Sequence, residues 1–221
     1  MRINSIEKQI VPNFRAVKVG SARNIINGVT TDIDVYQLYK KDLAFLEKLA
    51  ETTDFNKLPL KLSAKMCKRW QHILNYCVTR TFKKEDNTTF VAVNQNKICG
   101  IMTYAKPENN ILDLEGICSI PKRNGKRVPL LGKTLFYYLF KNAKDNGISG
   151  ISLKAIKDGP FDLVQKYEGI GFKTCKNADE EYVHMFCNKH KIAEQLNELP
   201  FLINFVFKRD NKQTNLLKFL D

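Results

Sequence analysis

Residues 111–156 constrain this chain more than any other stretch: ILDLEGICSI, then PKRNGKRVPLLG, then KTLFYYLFKNA, and, after a short polar gap, SGISLKAI. An apolar strand, a basic loop, a helix and a second apolar strand in that order make the two strands parallel neighbours, with the helix as their right-handed crossover. Leu131, Leu135, Leu139 and Ala143 give the helix its apolar side, and Asn146-Gly147 ends it. The loop that opens the helix holds Lys122, Arg123, Lys126 and Arg127. Unpaired N–H groups at a helix start sit at the positive end of its macrodipole, so the junction reads as an anion site.

The flanks fill out the sheet. Segments 88–93, 97–105 and 111–120 are strands joined by NQN and KPENN, an antiparallel meander. Upstream, 14–19 reads as a strand ended by Gly20, and 21–31 as a loop. A helix capped by Asp34 follows, with Val35, Leu38, Tyr39, Leu46, Leu49 and Ala50 at helical spacing. Ser63 caps a second helix that turns Met66, Trp70, Ile73, Leu74 and Cys77 inward, and 80–87 is polar connection. Downstream come a short helix at 160–168 closed by Gly169 and Gly171, strands at 172–175 and 181–187, a helix at 190–199 and a strand at 201–207. The last segment, FLINFVF, has three uses open to it: an edge strand, a contact with another subunit, or a cover over an apolar patch.

Composition narrows the partners. A chain of 221 residues that is 43% hydrophobic suits one sizeable domain. Its formal net charge of +13 favours phosphate-bearing or acidic partners, among them RNA, DNA, an anionic membrane and a phosphorylated cofactor. No signal peptide or membrane span is read, so a cytoplasmic protein without a membrane partner is expected. The six cysteines contain no C-x-x-C pair and read as buried reduced thiols. His184, Cys187 and His190 fall on alternating faces of a strand, so no metal site is expected. Gly132-Lys133-Thr134 ends like a phosphate-binding loop, but six residues separate Gly125 from Gly132 where that motif needs four. Phe136, Tyr137 and Tyr138 point in different directions round their helix and read as core and rim rather than a platform for bases.

Two motifs carry a family resemblance. KYEGIGFKT, residues 166–174, and the strand, proline, basic loop and helix of 117–135 resemble the GNAT superfamily of acyl-CoA-dependent N-acyltransferases, as does the order of elements over about residues 14–188. The resemblance implies an α/β fold of the α+β kind: a mixed, mostly antiparallel twisted sheet with a parallel central pair and helices on both faces. It divides the chain into a basic tail (1–13), the acyltransferase domain (14–188) and a C-terminal extension (189–221). It implies direct transfer of an acyl group from acetyl-CoA or another acyl-CoA to an amine acceptor, a small molecule or a protein. On the same resemblance, free backbone groups of Ile117, Cys118 and Ser119 pair with the pantetheine arm. The pyrophosphate then falls to Arg127, Val128, Leu130, Leu131, Gly132, Lys133 and Thr134. The loop departs from the family pattern: Leu130 stands at the middle glycine, Gly132 is kept, and about three extra residues precede it. Pro129, without an N–H, reads as the first helical residue. Asp158, Gly159 and Pro160 occupy the neighbourhood of a family asparagine.

Catalytic candidates follow from the chemistry. A lysine-like amine, with a pKa of about 10.4, is mostly protonated at neutral pH, so a nearby carboxylate would help it. Strand alternation puts Asp113, Glu115, Ile117 and Ser119 on one face, against Leu112, Leu114, Cys118 and Ile120, with Gly116 free to form a bulge. Glu115 is the candidate base; the competing reading is that both carboxylates solvate the face or pair with lysines. Tyr167 matches the family tyrosine that protonates the departing thiolate, and its competing reading is an aromatic closing the core beside Phe172. NADEE and Asp54 point to a basic acceptor. The alternative function is a non-catalytic GNAT-like basic module that binds RNA or another acidic partner, with nucleic acid the less favoured partner.

Overall fold

The computed structural model describes residues 16–26, 29–38, 43–60, 62–83, 87–105, 107–159, 162–198, 203–206, 210–214 and 216–220. The basic tail at 1–13 lies outside them. The strands are β1 (Ala16–Ile26), β2 (Val29–Leu38), β3 (Thr88–Asn94), β4 (Lys97–Tyr104), β5 (Ile111–Ser119), β6 (Gly150–Ile156), β7 (Lys173–Ala178), β8 (Tyr182–Asn188), β9 (Ile203–Val206) and β10 (Asp210–Thr214). The helices are α1 (Leu43–Thr52), α2 (Ala64–Lys83), α3 (Leu131–Asp145), α4 (Leu163–Glu168) and α5 (Lys189–Glu198), with a 3-10 turn at Leu216–Phe219.

Among the described residues all ten strands join one sheet in the order β10-β1-β2-β3-β4-β5-β6-β8-β7, with β9 pairing β1 beside β10. β5 and β6 are its parallel pair; the other pairings are antiparallel. Two cores follow from burying both faces. Ile33, Val35, Phe90, Met102, Leu112, Leu153 and Met185 point to the side of α3 and α5, where they meet Leu135, Leu139, Phe140 and Ile192. Tyr36, Leu38, Val91, Val93, Ile101 and Cys118 point the other way, to Phe45, Leu46, Leu49, Trp70, Leu74 and Cys77 of α1 and α2. This is the mixed sheet with helices on both faces that the sequence implies.

The N-terminal quarter departs from the expectation. β1 continues through Gly20, the expected loop at 21–31 is the β1–β2 hairpin, and Asp34 lies in strand β2 rather than capping a helix. β2 is buried on both faces, so its apolar residues fill Ile33, Val35, Tyr36 and Leu38 and imitate helical spacing. Asp34 instead accepts the Ser21 hydroxyl at 2.6 Å and pairs with Lys18 at 2.8 Å. Gly20 does not end a strand; it clears a crossing, because a Cβ there would lie 2.3 Å from the Tyr138 hydroxyl of α3. α2 also runs on through Arg80 to Lys83, where a polar connection was expected. Its apolar residues continue past Val78 to Phe82, and Ser63 caps its start by accepting the Met66 N–H at 3.3 Å.

Beyond residue 189 the chain returns to the first strand. β9 and β10 pair with β1, and Leu216 and Phe219 are buried in the α1–α2 core, with the Phe219 ring 5.9 Å from that of Tyr36. Gly20→Ala should lower stability by roughly 1–3 kcal/mol through overpacking against Tyr138, measured by urea denaturation; an unchanged midpoint would show that the crossing tolerates a methyl group.

Candidate functional site

β5 and β6 are paired only from Ile111–Gly150 to Leu114–Leu153. Beyond that they part, and the gap opens into a cavity of about 860 Å3 walled by α2, β5, β6, α4 and the start of α3. The parting coincides with a bulge. Thr103 of β4 faces Gly116 and Tyr104 faces Leu114, which leaves Glu115 as an extra residue in β5.

That extra residue resets the alternation and corrects the expected face. Leu112 and Leu114 point to the α3 core whereas Cys118 and Ile120 point to the α1–α2 core. Glu115 reaches α2, while Ile117 packs on the α3 side, so the two do not share a face. Gly116 is required at this crossing: a Cβ there would stand 2.7 Å from Cys77 Sγ.

Glu115 is held tightly. Its side chain is 8% exposed, Tyr76 donates its hydroxyl to Oε2 at 3.0 Å, and Arg80 Nε stands 3.4 Å away. The Arg80 guanidinium also lies 4.8 Å over the Tyr76 ring. Burial, then the hydrogen bond to Glu115, push the Tyr76 phenol up. Burial opposes the charge on Arg80, but Tyr76 and Glu115 outweigh it and raise its pKa. Arg80 was missed because the expected helix stopped before it, and Tyr76 because it was not among the residues expected to turn inward. Their signal was the stripe Arg69, Ile73, Tyr76, Arg80, which lines the cavity at helical spacing.

At the other end lies the start of α3. The N-cap Leu130 has no side-chain cap, and Leu130, Leu131, Gly132 and Lys133 line the cavity, so the uncapped end of the helix borders open space. A Cβ on Gly132 would meet nothing within 4 Å. Pro129 precedes the cap instead of opening the helix, and its carbonyl accepts a hydrogen bond from Asn24 at 3.2 Å. The extra loop residues fold into a turn, in which Lys122 N–H donates to Lys126 O at 2.8 Å and Gly125 has φ 74° against Pro59.

The basic side chains separate. Lys122 Nζ donates to Gln95 Oε1 at 2.9 Å, away from the cavity. Arg127 lines the cavity but lays its guanidinium 4.1 Å over the Trp70 ring of α2. Burial lowers the pKa of Arg127, and burial followed by Arg127 lowers that of Lys166 on the opposite wall.

Ile117, Ser119 and Val128 also line the cavity. Cys118 turns away to α2, its Sγ 4.0 Å from Trp70 O, and Thr134 is buried with its hydroxyl donating to Leu130 O at 3.0 Å; neither side chain is brought to the cavity. Tyr167 stands in the cavity wall, its ring 5.7 Å from Phe136 and 6.1 Å from Phe172. Burial pushes its phenol up to about 12, so it stays protonated at neutral pH. Its position is fixed by the turn after α4, where Phe172 N–H donates to Tyr167 O at 3.0 Å and Gly171 takes φ 96°.

The residues expected to mark a basic acceptor face elsewhere. Asp54 accepts the Asn56 N–H at 2.9 Å, and Asp179 accepts the Tyr182 N–H at 2.6 Å. Those hydrogen bonds hold both carboxylates below the usual carboxylate range, and neither residue lines the cavity. Among the described residues no cluster of His, Cys, Asp and Glu could hold a metal ion, and no helix is long and apolar enough to cross a membrane.

No protein-family model and no curated protein matches the chain. Solved structures do. The PaiA N-acetyltransferase of Thermoplasma acidophilum, in complex with coenzyme A, is 20% identical with a TM-score of 0.50, over 71% of this chain and 98% of that one. A GNAT-family acetyltransferase of Staphylococcus aureus Mu50 covers 71% and 99% at 19% identity and a TM-score of 0.47. The ribosomal-protein-S18-alanine N-acetyltransferase of Escherichia coli covers 71% and 93% at 14% identity and a TM-score of 0.47. The chain has the GNAT-superfamily fold.

The loop departure has a conformational cost. Leu130 sits at φ 55°, ψ 12°, the left-handed region in which glycine is at ease and a Cβ is not. Leu130→Gly should therefore leave stability unchanged or raise it by about 1 kcal/mol, whereas the β-branched Leu130→Val should lower it by at least about 1 kcal/mol. Thermal denaturation of the pair checks this; equal loss in both would mean that Leu130 acts through its side-chain contacts.

Proposed function

We propose that this chain is an N-acyltransferase that moves an acetyl or other acyl group from acyl-CoA to an amine by direct transfer. The supporting observation is one continuous cavity that runs from the uncapped start of α3 into the opening between β5 and β6. The fold likeness to a protein solved with coenzyme A supports the same co-substrate.

In this reading, the pyrophosphate meets the amides of Leu130 to Lys133, with Arg127, Val128 and Thr134 shaping the loop behind them. The pantetheine arm lies along Ile117, Cys118 and Ser119, whose backbone groups are released where β5 leaves β6. An N–H there polarises the thioester carbonyl. The amine nitrogen attacks the carbonyl carbon, the C–S bond breaks, and the thiolate takes a proton from Tyr167. The proton shed by nitrogen passes to Glu115, directly or through water, and both groups re-equilibrate with solvent. A wholly non-catalytic module would have no use for a phenol in the wall of this cavity.

Acetyl-CoA at about 100 times its Kd should raise the melting temperature by roughly 5–10 °C. No shift at millimolar acetyl-CoA, together with tight salt-dependent RNA binding, would favour the basic binding module instead.

The two side-chain roles separate by mutation. Tyr167→Phe keeps the ring contacts and should lower kcat by about tenfold or more with acetyl-CoA affinity retained. With the phenol raised to about 12, wild-type turnover should show no alkaline loss from Tyr167 below about pH 11, because the group donates while protonated. Glu115→Gln should slow turnover in a way that higher pH partly restores; a loss equal at every pH would assign Glu115 to anchoring Tyr76 and Arg80.

A further inference from the structure

The face of the cavity away from α3 carries cations that its carboxylates leave incompletely matched. Ile151, Leu153 and Ala155 point to the α3 core, so Lys154 projects to the α2 side. It is exposed, and among the described residues it makes no ion pair. Had β5 and β6 stayed paired beyond Leu114–Leu153, Lys154 would lie opposite Glu115. Arg69 of α2 reaches towards the turn after β6, where Nη1 donates to Asp158 O at 3.1 Å. The Asp158 carboxylate is 3.9 Å away and 72% exposed, a loose partner for a guanidinium with five donors.

The carboxylates of this wall are already occupied. Asp113 accepts the Ser152 hydroxyl at 2.9 Å, and Glu115 takes Tyr76 and Arg80. Asp54 and Asp179 serve their own turns. The cations suited to coenzyme phosphates, Lys133 and Lys166 with Arg127, stand at the α3 and α4 end.

Resting on the acyl-transfer reading, we infer that the acceptor is an amine that also carries an anionic group, a carboxylate or a phosphate. The amine points to Glu115 and the strand opening, and the acid lies between Arg69 and Lys154. The net charge of +13 draws such acceptors in and disfavours lysine-rich ones.

The test uses acceptor pairs that differ in the acid, with rates referred to the free-amine concentration: 4-aminobutyrate against butylamine, and phosphoethanolamine against ethanolamine. Initial rates and acetyl-CoA-induced melting shifts are measured on the same protein. The anionic member of at least one pair should have a kcat/KM about tenfold higher, chiefly through KM, and added salt should erode the ratio. The pair that shows it separates carboxylate from phosphate. Arg69→Gln and Lys154→Gln should each pull the ratio towards one, and Arg69→Lys should keep most of it.

A ratio of one or below in both pairs overturns the inference, as does failure of every compound to bind the acetyl-CoA-loaded protein at millimolar concentration. So does an Arg69→Gln variant that loses acetyl-CoA affinity while the ratio stands, since Arg69 would then belong to the coenzyme. A protein that binds acetyl-CoA yet prefers uncharged amines removes charge selection alone. One that shows no acetyl-CoA shift removes acyl transfer, and the acceptor class with it.

Discussion

Residue 115 is one more than the ladder between β4 and β5 can hold, and the geometry of the cavity follows from that surplus. Thr103 and Tyr104 face Gly116 and Leu114, so Glu115 is expelled from the pairing and swings to α2. At the same point β5 stops pairing with β6, which frees backbone donors and acceptors where a ligand can use them. A regular strand would have kept its side chains in alternation and its hydrogen bonds within the sheet, and no cavity could have formed there. The surplus residue is steadied from α2, where Tyr76 and Arg80 hold its carboxylate and Gly116 leaves room for Cys77. A hydroxyl cluster behind it, Thr81, Thr89 and Thr103, ties the same helix to β3 and β4 at 2.6 to 3.3 Å. The position of α2, and with it the wall of the site, is thus set by polar contacts as well as by its apolar side.

The start of α3 shows a different balance. A left-handed residue has to turn the loop into the helix, and here it is leucine. The strain is carried by a junction fixed on three sides: Asn24 holds Pro129 O, Gly125 rests against Pro59, and Arg127 stacks on Trp70. A loop so braced can hold a costly backbone angle at one residue.

The parts of the fold that could be read from the residues were those with one-to-one signals. The meander had its strand runs and polar turns, the crossover helix its period and a glycine stop, and the YEGIGF turn its two glycines, and each lies where expected. The N-terminal hairpin was hidden because β2 buries both faces, which removes the alternation that separates strand from helix. Of the candidate residues, Glu115, Ile117, Ser119, Arg127, Val128 and Leu130 to Lys133, named from neighbouring stretches of sequence, line the cavity. Tyr76, Arg80, Arg69 and Lys154 were not legible, since only tertiary packing brings α2 and β6 to the same opening. Alternation along β5 gave the wrong partners for Glu115 because a bulge is invisible to a period of two.

Ala16 pairs with Thr214, and Phe219 packs against Tyr36. The first strand and the helices beside it are therefore completed by segments that leave the ribosome long after them. Until those segments emerge, the outer edge of β1 has no neighbour and the space filled by Leu216 and Phe219 is open. A nascent chain in that state exposes a sticky strand edge, so the time between synthesis of β1 and of β9 and β10 is the interval in which it most needs a chaperone.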